Sequence, residues 1–149
     1  MTITPPPRVV RHRGLSLLEL TIVITTMLAL IGLFFIGARA WKRGGDRTGC
    51  VLTLRNIQVA MRAYQNMYGY NYGGRPYAEN GTQNIADHLY AKGYIESRLY
   101  QQTRGDMQCP SGGSYSCLVP DIFPEPGQLY MECSLSSQDK HEPTSHGDW

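Results

Sequence analysis

Arg13-Gly14-Leu15-Ser16-Leu17-Leu18-Glu19-Leu20-Thr21-Ile22-Val23 joins a basic leader to an apolar run that continues without a charge from Ile24 to Ala38. Leu15 to Ala38 is 24 residues. As a helix rising 1.5 Å per residue it would reach about 36 Å, enough for a hydrocarbon core of about 30 Å. Glu19 is the single charge in the run, five residues after Gly14. A carboxylate there is costly and marks a functional position by default. The competing reading, a glutamate close enough to the interface to snorkel into water, uses the same position. A secretory signal peptide would have a shorter apolar core followed by small residues at a cleavage site. Here the run is long and is flanked by Arg39, Trp41, Lys42 and Arg43, an interfacial set.

The net charge of +2 conceals an asymmetry. Residues 1–44 hold six Lys/Arg against one acid; residues 45–149 hold eight against eleven. An acidic C-terminal part gives no basic face for nucleic acid. Arg8, Arg11 and Arg13 precede the run and Arg39, Lys42 and Arg43 follow it, so charge alone leaves the orientation near a tie.

The glycine, the glutamate five residues later and the uncharged apolar run together resemble the prepilin signature of type IV pilins and of the pseudopilins of type II secretion systems. The resemblance covers about the first 25 residues. It implies cleavage after Gly14 by a prepilin peptidase, N-methylation of Leu15, and an assembly role for Glu19 toward the freed α-amine of Leu15 on a neighbouring subunit. It also implies a single pass through the bacterial inner membrane with the head in the periplasm, membrane lipid around the helix, and an inner-membrane assembly platform and other pilin or pseudopilin subunits as partners in a homo- or hetero-filament.

Beyond the span, Gly44-Gly45 is a candidate kink. Cys50, Leu54, Ile57, Met61, Tyr64 and Tyr68 recur at spacings of four and three, one face of a helix. Leu52, Val59 and Ala63 form a weaker second seam, either the edge of a broad core face or a surface for a neighbouring subunit; Arg55 and Arg62 lie away from the first seam. Residues 69–80 read as a Gly/Tyr/Asn loop packed on itself. Asn80-Gly81-Thr82 matches a glycosylation sequon by chance. Asn84 is a candidate N-cap for a short helix with Ile85 and Leu89 on its apolar face and Gly93 at its C-terminal end. Residues 107–133 read as strand–turn–strand, with Ser111-Gly112-Gly113-Ser114 as a turn, strands at 115–119 and 129–131, and a proline-rich loop at 120–127. From Ser136 the tail is polar and is expected to be disordered or loosely attached.

Four cysteines, Cys50, Cys109, Cys117 and Cys133, follow the membrane signal, an even count compatible with disulfides in an oxidising compartment. The frame Cys-Pro-Ser-Gly-Gly-Ser-Tyr…Glu-Cys-Ser resembles the C-terminal end of a group of prepilin-like proteins. In that reading Cys109 and Cys133 form a disulfide that staples the last sheet, and the pairing of Cys50 and Cys117 stays open. Without Cys-x-x-Cys spacing the cysteines do not suggest a structural zinc. His141 and His146, near Asp139 and Asp148, read as a solvated tail. Asp121 and Glu125 are too few oxygens for calcium. No catalytic triad, phosphate loop or His-x-x-x-His spacing occurs.

The sequence reading is an α+β chain: leader 1–14, transmembrane helix 15–38, amphipathic continuation 39–68, α/β head 69–135 with a small antiparallel sheet, and polar tail 136–149. Its function is structural, a secretion pseudopilus subunit with no catalytic residue, no cofactor and no metal. The alternatives are a minor type IV pilin in adhesion, motility or DNA uptake, and a membrane-anchored periplasmic binding domain.

Overall fold

A computed structural model describes residues 16–147 and 149. Gly14 and Leu15, where the cleavage and methylation expectations fall, lie outside the described residues, as does Asp148. The longest element is helix α1, Leu17–Tyr68. The chain divides into two compact units, Met1–Ala40 and Trp41–Trp149.

In the first unit α1 starts on a polar cap. The Glu19 amide donates to Ser16 Oγ at 3.2 Å, and the Leu20 amide donates to the Ser16 carbonyl at 3.1 Å. Serine at an N-cap satisfies a helix-end amide that has no partner within the helix. The three threonines of the run are also self-contained. Thr21, Thr25 and Thr26 donate to carbonyls three or four residues back at 2.8–2.9 Å. Polar groups satisfied inside the segment are what a hydrocarbon surrounding demands. The described residues from Ser16 to Gly45 are all exposed, including Phe34 and Phe35. This helix is long and apolar enough to cross a membrane.

In the second unit, α1 continues without a break through Gly44 and Gly45, so the glycine pair does not end it. Its predicted face is buried: Cys50, Leu54, Ile57, Met61 and Tyr64 are at most 1 % exposed. Tyr68 ends the seam half out of the core. Helix α2, Ile85–Ala91, begins where expected, with Asn84 Oδ1 accepting from the Ala86 amide. It ends on Gly93, whose φ of +76° lets the Tyr94 amide reach back to the Leu89 carbonyl at 2.8 Å. Helix α3, Ser97–Thr103, has no counterpart in the sequence reading. Asp87 ties it to α2: Tyr100 Oη donates to Asp87 Oδ1 at 2.9 Å, and Arg104 Nη1 lies 3.5 Å from the same oxygen.

The sheet is smaller than the strand–turn–strand expectation. Strands β1, Tyr115–Cys117, and β2, Met131–Cys133, pair antiparallel, with Tyr115 opposite Cys133 and Cys117 opposite Met131. The 111–114 turn lies directly before β1, where it was expected, and the second strand runs over Met131–Cys133 rather than 129–131. At the turn the Cys109 amide donates to the Gly113 carbonyl and the Gly112 amide to the Cys109 carbonyl, both at 2.7 Å. Between the strands, residues 118–130 cross the head and exchange two backbone bonds with the tyrosine loop, Gly73 to Phe123 and Phe123 to Gly74. The loop packs on the head as well as on itself: Tyr70 stacks on Phe123 at 5.1 Å between ring centres and meets Tyr77 at 5.9 Å, while Arg62 lies over the Tyr72 ring.

The tail does not hang free. After the short helix α4, Ser136–Asp139, it folds against the head, with His141 2 % exposed. Arg47 Nε donates to the Lys140 carbonyl at 2.8 Å. Arg62 donates to the carbonyls of Pro124, Glu125 and Trp149 at 2.7–3.0 Å. A guanidinium presents five donors in a fixed fork, which suits three carbonyls from two chain segments.

Candidate functional site

Glu19 lies in the first turn of α1, and among the described residues no cation pairs with it. The helix N-terminus favours a carboxylate there. Its place at the third position after Ser16 is the capping-box position, so the cap accounts for part of what the sequence showed.

The cysteines are arranged differently from the sequence expectation. All four are free thiols, so the Cys109–Cys133 disulfide is not formed. The structure does bring Cys109 and Cys133 together, but within a larger group. Cys50 from α1, Cys109 before β1, Cys133 at the end of β2 and His141 after α4 are all buried, with ligand atoms within 4.8 Å of one another. Cys109 Sγ and His141 Nδ1 are 3.3 Å apart. Three thiols converge with an imidazole, so no one pair is singled out for a bridge.

Burial pushes the Cys50 thiol well up; Tyr115 partly opposes this, while Cys109 and Cys133 add to it. Burial also raises Cys133, opposed by the Leu135 amide and Cys50. Three buried sulfurs and an imidazole are a soft donor set. Cys117 stands apart. It donates to the Thr103 carbonyl at 3.5 Å, and burial pushes its thiol up to about 11.

Sequence reading placed Cys109 and Cys133 correctly as neighbours. It put Cys50 only on the core seam and left His141 in solvent. The spacings are 59, 24 and 8 residues, and no short motif spans such intervals. The one available signal was the phase of Cys50 with Leu54 and Ile57.

Two further features line the head. A groove of about 740 Å³ runs past Val59, Ala63, Ile95 and Leu99. The second seam opens to it at Val59, 59 % exposed, and Ala63, while Leu52, 49 % exposed, lies outside the groove. A second cavity of about 450 Å³ is lined by Leu118, Phe123, Leu129 and Tyr130 together with Glu132 and His146. The loop acid Asp121 is engaged by Arg75 Nε at 3.3 Å.

No protein-family model, curated protein sequence or solved structure matches the chain significantly.

Proposed function

We propose that this chain is a structural subunit of a type II secretion pseudopilus, cut after Gly14, methylated at Leu15 and assembled through α1. The observation that carries the reading is the coupling of the Gly14–Glu19 motif to an apolar helix whose side chains are exposed from Ser16 to Gly45. A helix apolar all round needs lipid or other helices about it. In this reading the head stays in the periplasm, the chain performs no chemistry of its own, and the span bundles with its copies or with related subunits. Glu19 then faces the Leu15 ammonium of a neighbour. An unpaired charge in that setting is costly, so only one axial register is stable. Among the described residues no cation pairs with the Glu19 carboxylate, which is exposed.

The test scores cleavage and assembly in parallel in a complemented deletion strain. Intact mass of the membrane-extracted protein should begin at Leu15 with one added methyl group. Glu19→Leu should be cleaved normally and fail in filament crosslinking and secretion. A chain that keeps residues 1–14 beside active prepilin peptidase refutes the reading. A processed Glu19→Leu variant that assembles as wild type reduces the carboxylate to a passive residue near the interface. The same residues serve a minor type IV pilin, and loss of piliation with intact secretion would select that alternative. The cavity beside Phe123 and Tyr130 favours the other rival, a membrane-anchored periplasmic binding domain, which would retain its leader.

A further inference from the structure

Four ligand-bearing side chains from four separate stretches meet in the head core, and the assembly reading uses none of them. We propose that Cys50, Cys109, Cys133 and His141 are the four ligands of a structural Zn²⁺ ion. Three thiolates and one imidazole are a closed donor set of the kind structural zinc takes. With Zn–S near 2.3 Å and Zn–N near 2.0–2.1 Å, a tetrahedron spaces its ligand atoms about 3.5–3.8 Å apart. The Cys109–His141 pair is at 3.3 Å and the whole group lies within 4.8 Å. All four residues are buried, which leaves no open position for a substrate and marks the site as structural.

The surroundings are built for this group. The buried Tyr115 hydroxyl lies beside the Cys50 sulfur and Thr53 and, among the described residues, makes no regular hydrogen bond, which leaves its proton free to point at the cluster. The Leu135 amide points at the Cys133 sulfur. Hydrogen bonds of this kind orient thiolate ligands and spread their charge. Gly113 leaves room for the Cys133 sulfur: a Cβ there would come within 3.1 Å of it and 2.8 Å of Leu135 Cγ.

The tail is bent to deliver its ligand. Lys140 holds the left-handed conformation, φ 53° and ψ 44°, directly before His141. That conformation is unfavourable for a side chain with a Cβ. Arg47 holds the Lys140 carbonyl, and the His141 amide donates to the Leu135 carbonyl at 3.3 Å. A polar tail has no apolar reason to bury an imidazole against three sulfurs; a shared cation supplies one.

Binding releases three protons, one from each thiol, while His141 binds as the neutral ring through a nitrogen lone pair. A disulfide is the competing chemistry. It would consume two thiols, pass two electrons to an oxidant, and leave the third thiol and His141 without a role.

The full chain, extracted from membranes in mild detergent without chelator, tests the site. Elemental analysis should give one zinc per chain, and intact mass should show no loss of hydrogen from the cysteines. Replacing zinc by Co²⁺ should produce the d–d bands of a tetrahedral site and thiolate-to-cobalt charge transfer, a readout on the wild type that no folding defect can mimic. His141→Ala should lose stoichiometric zinc, His141→Cys should keep it, and Cys117→Ser should be unaffected. Tyr115→Phe should weaken zinc by about tenfold. Metal-free protein with a disulfide between any two of Cys50, Cys109 and Cys133 overturns the proposal, as does a cobalt spectrum lacking thiolate charge transfer. A zinc-loaded chain that keeps its leader would refute the assembly reading alone.

Discussion

Helix α1 carries two surfaces of opposite kind along one backbone. From Leu17 to Gly45 every described side chain is exposed, on all sides of the helix. From Asp46 to Tyr68 one seam is closed by the head, while Leu52, Val59 and Ala63 stay open. The sequence difference is polarity around the helix rather than hydrophobicity along it. The first stretch has no polar face, so no single protein core can satisfy it. The second alternates its apolar seam with Arg55, Asn56 and Arg62 and so has one inside. Two apolar stretches of one helix therefore call for different partners, a bilayer or bundle in one case and the chain's own head in the other.

The largest effect that would break this contrast lies on the closed seam. Ile57 is fully buried. Ile57→Ala should remove about 2–5 kcal/mol of head stability through lost burial and the cavity left behind. Urea unfolding of the detergent-solubilised chain, followed by near-UV circular dichroism, measures it. A loss below about 1 kcal/mol would mean that the seam collapses easily and is not the core that the exposures describe.

Two polar residues in the same stretch sharpen the contrast, because period alone does not assign them. Gln58 is 1 % exposed. Its Nε2 donates to the Gln128 carbonyl at 3.0 Å, and its Oε1 accepts from the Tyr130 amide at 2.9 Å. Gln58→Leu keeps the volume and strands both backbone groups, at about 1–3 kcal/mol for each. Gln58→Glu should be damaging as well, since a carboxylate beside the Gln128 carbonyl has no proton to offer. If Gln58→Leu is neutral, water reaches the lead into β2 and the helix face is narrower than described.

Arg62 comes next. It spans the loop and the tail through three carbonyls, so Arg62→Ala should cost about 1–3 kcal/mol and expose the C-terminal residues to carboxypeptidase. Arg62→Lys should not restore the clamp, because a single ammonium cannot match the fork. Unchanged digestion of Arg62→Ala would leave Arg47 and the His141 region as the contacts that hold the tail.

These residues also show what was legible in the sequence. The closed seam, the Asn84 cap and the Gly93 stop were readable because each depends on local spacing. Helix α3 was not, since Ser97–Thr103 has too few apolar residues for a period and is held by Asp87 from another element. The 111–114 turn before β1 was recognised, but the ends of both strands depend on pairing across residues 118–130. Arg62 read only as lying away from the seam and Gln58 drew no reading, because their partners are backbone groups distant in sequence. Cys109 and Cys133 were read as a pair, whereas the tertiary fold adds a helix cysteine and a tail histidine. Side-chain clusters assembled from four stretches leave no periodic trace, so the candidate site was the least legible part of the head.

The smallest expected effect decides the contrast most directly. Val59 lies one residue from Gln58 and Ala60, both buried, yet it is 59 % exposed and faces the groove toward Leu99. If the second seam is open, Val59→Ala removes little packing. It also slightly improves helix propensity, because valine loses side-chain freedom against the preceding turn. The two terms oppose each other, and head stability should change by less than about 0.5 kcal/mol, as for surface positions generally. The measurement is the same urea unfolding applied to Ile57→Ala, at a detergent concentration that keeps the protein monomeric. A cost above about 1.5 kcal/mol would place Val59 in a packed core. The two seams would then form one broad buried face, and α1 would offer a neighbouring subunit nothing beyond its first stretch.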